Sequence, residues 1–243
     1  MKNIITIWIL IVLFTACSNT QPAEKKTELP VVATIAPDPP ARWFDRWLHK
    51  MPCSAPCWEN ITPGKTTSQE AEQIIRAIPY AYNISIDPEF IPGTGVVEWK
   101  IDDGSIGQVA FDSNTPQRIV NQITLPYKII RLSEVINAYG EPDYVIASAD
   151  SAPDIGVPPV CSLTIIYLRK GISLDAPNCP GVKSGIDPDS PFYVTFFIPT
   201  QAGFKQFTNV DPDNVIVRKW EGYKKFDYYC TDNSGGIYCE GKQ

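Results

Sequence analysis

The sequence contains very little histidine, since His49 is the only one among 243 residues. A Ser–His–Asp triad would have to use His49, and no Gly-x-Ser-x-Gly motif is present. A zinc site is disfavoured too, because no Cys-x-x-Cys pair accompanies this histidine. We therefore predict that His49 is a surface residue, that the chain has no metal site and no cofactor, and that no catalytic residue can be named.

Three closely spaced pairs of aspartates could supply converging carboxylates, and each lies in a turn-forming context. Asp-Asp-Gly between two extended runs is typical of a tight turn, and Asp-Pro starts turns. The two Asp-Pro-Asp segments offer closely spaced oxygens but lack the Gly and the distal Glu of an EF-hand calcium loop. The pairs are Asp102 with Asp103, Asp187 with Asp189, and Asp211 with Asp213.

The chain has no excess of basic residues, and its formal net charge is −6. An acidic protein without a basic stripe is a poor ligand for nucleic acid and for anionic lipid headgroups. These two classes of partner are therefore excluded as electrostatic targets.

A hydrophobic run long enough to span a membrane is missing. The longest one, Ile4–Phe14, follows Lys2 and has 11 residues, which as a helix rise about 16 Å against a hydrocarbon core of about 30 Å. Such a run is typical of the hydrophobic region of an export signal.

The end of this run resembles a bacterial lipoprotein signal, in which a small residue precedes a lipidated cysteine. Ala16-Cys17 matches that pattern, while Phe14 stands where Leu is usual. The resemblance implies a signal peptide over residues 1–16 and a diacylglyceryl thioether and an N-acyl chain, such as palmitate, on Cys17. It also implies a membrane-anchored protein of the bacterial cell envelope. The alternative is a plain secretory signal with Cys17 as an ordinary cysteine.

Six of the seven cysteines remain when Cys17 is set aside. An even number in an exported chain predicts disulfides, although several connectivities stay formally open. Proximity in sequence favours three pairs: Cys53–Cys57, Cys161–Cys179 and Cys230–Cys239.

Residues 17–40 are rich in Pro, Thr, Ala, Glu and Lys, as in a flexible tether, and residues 41–243 have the composition of a globular domain. Trp43, Phe44, Trp47 and Leu48 recur at helical spacing, which predicts a short helix over Ala41–Met51. Thr67 and Glu70 form a capping box, which predicts the start of a second helix. Pro79 is expected to end this helix. Its apolar pattern of Ala71, Ile74, Ile75 and Ile78 returns 61 residues later as Leu132, Val135, Ile136 and Tyr139, before Gly140.

Extended runs follow both helices, separated by turn signals. The alternation of β-forming residues predicts antiparallel meanders. The strands expected are Val96–Ile101, Ile106–Asp112, Arg118–Leu125, Tyr144–Ser148, Ser162–Leu168 and Tyr193–Ile198, with Val215–Arg218, Phe226–Cys230 and Ile237–Cys239 near the end. We predict an α+β fold of two helix-plus-meander units, at 60–126 and 127–200. An extension over 201–243 ends in a disulfide hairpin.

A helix, a Gly-x-Pro turn and antiparallel strands in an exported lipoprotein resemble the SmpA/BamE type of outer-membrane assembly lipoprotein and the β-lactamase inhibitor proteins. Gly64-Lys65-Thr66 matches the helix entry of that pattern, and Gly140-Glu141-Pro142 matches its exit. The resemblance implies a protein-binding module without catalytic residues. We expect a non-catalytic envelope protein that binds another protein or a glycan; the alternative is a small hydrolase that uses carboxylates.

Lipidation of Cys17 is directly testable. Mass spectrometry of the protein purified from native membranes should find Cys17 as the N-terminal residue, carrying acyl chains. An unmodified Cys17, or an N-terminus elsewhere, would contradict the lipoprotein assignment.

Overall fold

The computed structural model describes residues 40–101, 103–126, 130–150, 160–177, 185–208 and 217–230. Four α-helices lie in these ranges: α1 (Ser68–Arg76), α2 (Leu132–Tyr139), α3 (Gln201–Thr208) and α4 (Phe226–Cys230). Two 3-10 helices cover Pro40–His49 and Leu168–Lys170. No helix in these ranges combines the length and the hydropathy that a membrane span requires.

Ten strands are present, and all pair in the antiparallel sense. They are β1 (Tyr82–Ile91), β2 (Thr94–Lys100), β3 (Ile106–Asp112), β4 (Val120–Thr124), β5 (Ile130–Arg131), β6 (Tyr144–Asp150), β7 (Val160–Tyr167), β8 (Ile172–Asp175), β9 (Pro191–Phe197) and β10 (Val217–Lys219). The order across the sheet is β1-β2-β3-β4-β9-β8-β7-β6-β10, and β5 pairs with β9 outside this path. The predicted α+β class is confirmed.

One face of the sheet forms the main core. A row of cross-strand partners runs through it from β2 to β7, and every member is fully or almost fully buried. Because side chains alternate between the faces of a strand, residues aligned in register all point to the same side. The row is Val97, Val109, Ile123, Phe196, Ile172 and Tyr167.

The opposite face, the outer face, is polar over its middle strands and apolar further along. The neighbouring register row on this side is Glu98, Gln108, Thr124, Thr195, Ser173, Ile166, Tyr144 and Lys219. Helix α3 covers its apolar part, where Phe204 packs in a small second cluster with Ile166 and Phe197. The outer face is thus covered where it is apolar.

The two predicted helices begin as their sequences indicate; α2 also ends as predicted, before Gly140, whereas α1 ends at Arg76, before Ile78 and Pro79. Thr67 accepts a hydrogen bond from the Glu70 backbone N–H, and the Glu70 carboxylate accepts one from the Thr67 backbone N–H. Helix α2 ends at Gly140, whose positive φ of 83° suits a residue without a Cβ. Helix α1 packs on β1, β2 and β3, whereas α2 packs on β5 and the first 3-10 helix.

The segment before α1 is held in its conformation by a disulfide and a buried ion pair, both formed within the segment. Cys53 and Cys57 form a disulfide, the first of the three pairs expected from the sequence. Arg46 and Glu59 are both buried, and Nη1 of Arg46 lies 3.3 Å from Oε1 of Glu59. The Tyr80 hydroxyl donates a hydrogen bond to the same carboxylate oxygen at 3.4 Å. Burial raises the pKa of Glu59, an effect that Arg46 partly offsets. Removing one partner would leave a buried charge unpaired, so the two residues depend on each other.

The aromatic residues of the first 3-10 helix lie where core packing requires. Trp47 is buried against Tyr139 and Phe196, as predicted for a helix that packs on the core, and His49 is exposed, as predicted. The helix is of the 3-10 type over Pro40–His49. The side chains of Trp43 and Phe44 lie outside the described residues.

One strand prediction is wrong. Phe226–Cys230, expected as the first strand of a C-terminal hairpin, is helix α4. Phe226 and Tyr229 are both fully buried, and their spacing of three residues places them on one side of a helix. The second strand of that hairpin, Ile237–Cys239, lies outside the described residues.

Trp99 imposes a tight steric limit on the β2–β3 pair. Its indole stacks on Trp58 with ring centroids 5.1 Å apart, and it also covers its cross-strand partner Gly107. A Cβ added at Gly107 would lie 2.2 Å from Cζ2 of Trp99, which is far below any normal contact distance. Position 107 therefore admits only glycine without rearrangement of the core.

We expect Gly107→Ala to lower the free energy of unfolding by about 1–3 kcal/mol, because the buried indole has to move. Gly185→Ala is the matched control, since a Cβ there would meet only the Lys224 carbonyl oxygen at 4.0 Å. Urea denaturation of both variants measures the difference. Equal stabilities would show that the indole does not limit this position.

Candidate binding surface

Strand β1 is the most exposed regular element among the described residues. It forms one end of the sheet, and among the described residues its only strand partner is β2. Nine of its ten residues are exposed and the tenth is half-buried. An edge strand of this length presents unpaired backbone N–H and C=O groups, which can pair with another extended chain.

Large apolar side chains project from this edge. Tyr82, Ile86, Phe90 and Ile91 are between 39% and 54% exposed. Isolated exposed apolar residues are common, but four on one strand concentrate apolar surface at this end of the sheet. We call the strand Tyr82–Ile91 with these side chains the β1 edge.

Part of the β1 edge is protected against strand pairing. Pro88 has no backbone N–H to donate, and charged residues flank it on both sides. The Asp87 carboxylate accepts a hydrogen bond from the Glu89 backbone N–H at 3.0 Å. Charges and proline both discourage strand addition, so the segment Tyr82–Ile86 is the less protected half. A register shift between Tyr82 and Ser85, with a φ of 49° at Asn83, interrupts the regular strand within it.

A cleft of about 870 Å³ borders the β1 edge. It lies between the first turns of α1, Ile86 and the turn that joins β3 to β4, and it is open to solvent. Glu72 is the only carboxylate that lines it, and Arg118 is the only cation. The described cleft therefore does not contain the converging carboxylate pair that a glycosidase uses.

Asp175 is a half-buried carboxylate on the outer face. It accepts hydrogen bonds from the Thr164 hydroxyl at 2.7 Å and the Ser173 hydroxyl at 3.2 Å. Burial raises its pKa, and these two hydrogen bonds lower it in part. The group is held by its neighbours on β7 and β8, which is the arrangement of a structural carboxylate.

The residues singled out in the sequence do not converge on one site. Asp103 accepts from the Ser105 backbone N–H, and Asp187 accepts from the Asp189 backbone N–H, so both belong to local turns as predicted. No group of three His, Cys, Asp or Glu side chains within the described ranges is arranged to hold a metal ion. Several of the selected residues lie outside the described residues: Cys17, Asp102, Cys179, Asp211, Asp213, Cys239 and the side chains of Cys161 and Cys230.

No family model, curated protein or solved structure matches this chain. The resemblance to small assembly lipoproteins and to β-lactamase inhibitor proteins therefore remains a prediction from Gly64-Lys65-Thr66 and Gly140-Glu141-Pro142.

The β1 edge was not predicted from the sequence. Pro88 and Pro92-Gly93 indicate turns, so this segment reads as a loop leading to the strand at Val96. The available signal was the alternation of Tyr82, Ile84 and Ile86, which has the period of a strand.

The pKa of Asp175 gives a test by pH. Because the folded-state pKa is raised, the stability that this carboxyl contributes is present at low pH and lost as the pH rises through the folded value. The unfolding free energy of wild type minus that of Asp175→Asn should therefore increase as the pH is lowered between about 7 and 4. Urea denaturation across this range is the measurement.

Thr164→Val is the companion variant. It removes a hydrogen bond that lowers the pKa of Asp175. The increase in stability on acidification should therefore begin at a higher pH than in wild type. A difference that stays constant with pH would mean that Asp175 is not desolvated in the folded protein.

Proposed function

We propose that the protein is a non-catalytic, lipid-anchored protein of the bacterial envelope that binds a partner protein through the β1 edge. The observation that carries this proposal is a ten-residue edge strand with four exposed apolar side chains. Strand addition supplies affinity through backbone hydrogen bonds, and alternate side chains supply specificity.

The charge of the β1 edge favours a particular kind of partner. Asp87 and Glu89 are exposed beside the apolar residues, and the whole chain has a net charge of −6. A second copy of the chain would bring like charges together at an antiparallel β1 pair. An extended segment with apolar and basic side chains fits better, and it would pair with Tyr82–Ile86.

The lipid anchor in this proposal is Cys17. Two acyl chains suffice for stable membrane attachment, so an acidic protein needs no basic patch. Residues 17–40 then serve as the tether that lets the β1 edge reach a partner away from the membrane surface.

We also propose that the fold consists of two related units, each a helix followed by an antiparallel meander. Two features support it: β1–β4 and β6–β9 each follow a helix and pair in chain order, and the two sets lie in mirrored order across the sheet. The apolar helix positions also repeat at a constant offset, with Ala71 and Leu132 both fully buried. The different packing partners of α1 and α2 set the units apart.

Site-specific photocrosslinking in native envelopes tests the binding surface. A photoreactive amino acid at Ile86 should give a discrete adduct, whereas the same residue at Met51 should not. Met51 is the matched control because it is 50% exposed and lies outside β1. The adduct at position 86 should be lost when Asp87 and Glu89 are both replaced by Lys, since a basic partner would be repelled.

Equal adducts at positions 86 and 51, or none at position 86, would contradict the proposed surface. Hydrolysis of peptidase, esterase, phosphatase or glycosidase substrates would contradict the non-catalytic proposal, if Glu72→Gln or Asp175→Asn abolished it with the fold intact. Such a result would favour the carboxylate-dependent hydrolase instead.

A further inference from the structure

The cleft beside the β1 edge is formed by three elements that are hydrogen-bonded to one another. The Ser68 backbone N–H at the start of α1 donates to the Arg118 carbonyl at 2.9 Å, and the Ser113 backbone N–H donates to the Gly93 carbonyl at 3.2 Å. The turn over residues 113–118 is thereby attached to α1 on one side and to the β1–β2 hairpin on the other. Because these walls are fixed in advance, occupying the cleft costs little ordering of the protein.

The cleft opens where an added strand has to leave β1. Pro88 has no backbone N–H to donate and Glu89 is charged, so backbone pairing along β1 ends before Pro88. Ile86 lies just before this point and also lines the cleft. Its cross-strand partner is the buried Val97, so Ile86 points to the face of the sheet that carries α1. A partner segment that turns away from β1 here meets the cleft.

The lining of the cleft suits a peptide chain. It consists mainly of hydroxyl and amide groups, among them those of Gln69, Asn114 and Gln117, and each of these can both donate and accept hydrogen bonds. Peptide N–H and C=O groups need both. None of the described lining residues provides an aromatic ring for a sugar to stack on. The volume of about 870 Å³ lies within the range of roughly 300–1,000 Å³ that ligand clefts have.

Arg118 gives the cleft one uncompensated charge. The carboxylate of Glu72 also lines it, but this group accepts a hydrogen bond from Nε of Arg76 at 2.8 Å and is paired with that guanidinium one helical turn away. Arg118 is exposed, and no carboxylate in the described ranges forms an ion pair with it. The cleft is therefore positive, next to the acidic residues Asp87 and Glu89 of the β1 edge.

The backbone at Arg118 supports a role for its side chain. Its φ is 47°, in the left-handed region that a glycine adopts at lower cost. Hydrogen bonds fix this conformation, since the Arg118 N–H donates to the Thr115 carbonyl at 3.1 Å and the Arg118 carbonyl accepts from Ser68. A glycine would be less strained here, and a use of the guanidinium accounts for the arginine.

We propose that the partner segment that pairs with β1 continues into this cleft and places a carboxylate on Arg118. This inference rests on the proposed function of the β1 edge. The partner segment then has a basic side chain opposite Asp87, followed by an acidic one that enters the cleft beside Ile86. Opposite charges at fixed positions set the register of the bound segment and exclude segments of the reversed polarity.

Synthetic peptides test this pattern on the full chain in detergent micelles. The probes are Ac-Thr-Val-Ser-Val-Lys-Gly-Glu-NH₂ and the reversed sequence, because an added strand can run in either direction, each with a version in which Gln replaces Glu. ¹⁵N NMR reports the two surfaces separately. The backbone amides of Ser85 and Ile86 report the β1 edge, and the side-chain amides of Gln69, Asn114 and Gln117 report the cleft.

At low ionic strength, one of the two Glu peptides should shift both sets of amides in a saturable manner. It should bind about two- to fivefold more tightly than its Gln version, which is the size of an exposed ion pair. General charge attraction predicts the opposite order, because the chain has a net charge of −6 and the Gln version is the more positive peptide.

Arg118→Gly separates binding from folding. Because glycine accepts the positive φ, this variant should keep or raise the urea midpoint of unfolding, and it should lose the preference for the Glu peptide. Arg118→Glu should reverse the preference. Lys170→Glu is the matched control, since it makes the same charge change at an exposed residue of the 3-10 helix between β7 and β8, and it should keep the preference.

The outcomes distinguish this inference from the proposed function. If no peptide shifts Ser85 or Ile86 at concentrations on the order of 10 mM, the β1 edge itself is contradicted, and the cleft inference with it. If those amides shift but the cleft amides do not, or if Arg118→Gly keeps the Glu preference, the edge stands and the cleft inference is overturned. Saturable cleft shifts with an N-acetylglucosamine oligosaccharide and with no peptide would make the cleft a glycan site instead.

Discussion

The buried face of the sheet is the constraint on which the rest of the structure depends. A row from Val97 to Tyr167 crosses six strands and is excluded from water along its whole length. A slip of one residue in any strand would move its apolar side chains to the outer face and its polar ones into the core. The register is therefore fixed from β2 to β7, and the helices that bury this face lie on one side of the sheet.

The same constraint explains why accessible apolar groups occur where they do. Strand β1 lies beyond the end of the fully buried row, so its side chains are only partly covered by α1. The exposed Tyr223 follows β10 at the other end of the sheet. Exposed apolar groups lie at the ends because the described strands in the middle are paired on both sides and α3 covers the apolar part of the outer face.

Local features were the ones that the sequence revealed. The capping box at Thr67 and Glu70 and the glycine at position 140 act within a few residues, so the beginning of α1 and the end of α2 match the prediction. Strand β3 matches its predicted bounds, Ile106–Asp112, because its residues alternate between two different environments.

Features that depend on distant contacts were missed or misread. Strand β8 has only four residues, too few for a periodic pattern to be recognised. Helix α4 was misread because aromatic residues favour strands in general, and only its packing against β6 requires Phe226 and Tyr229 on one side. The hydrogen bond from the Trp220 indole to Glu141 joins residues 79 apart in the sequence, a proximity that no local pattern encodes.

The mirrored strand order has a consequence for how the chain folds. Strands β1–β4 are consecutive hairpins, and so are β6–β9, but the β4–β9 pair joins Thr124 to Thr195, which are 71 residues apart in the sequence. Closing so long a loop costs more entropy than forming a hairpin, and non-local pairing slows folding. The two meanders are therefore expected to form early, with the β4–β9 seam closing last. Pairing of β4 with β9 is then the rate-limiting step in the formation of the sheet.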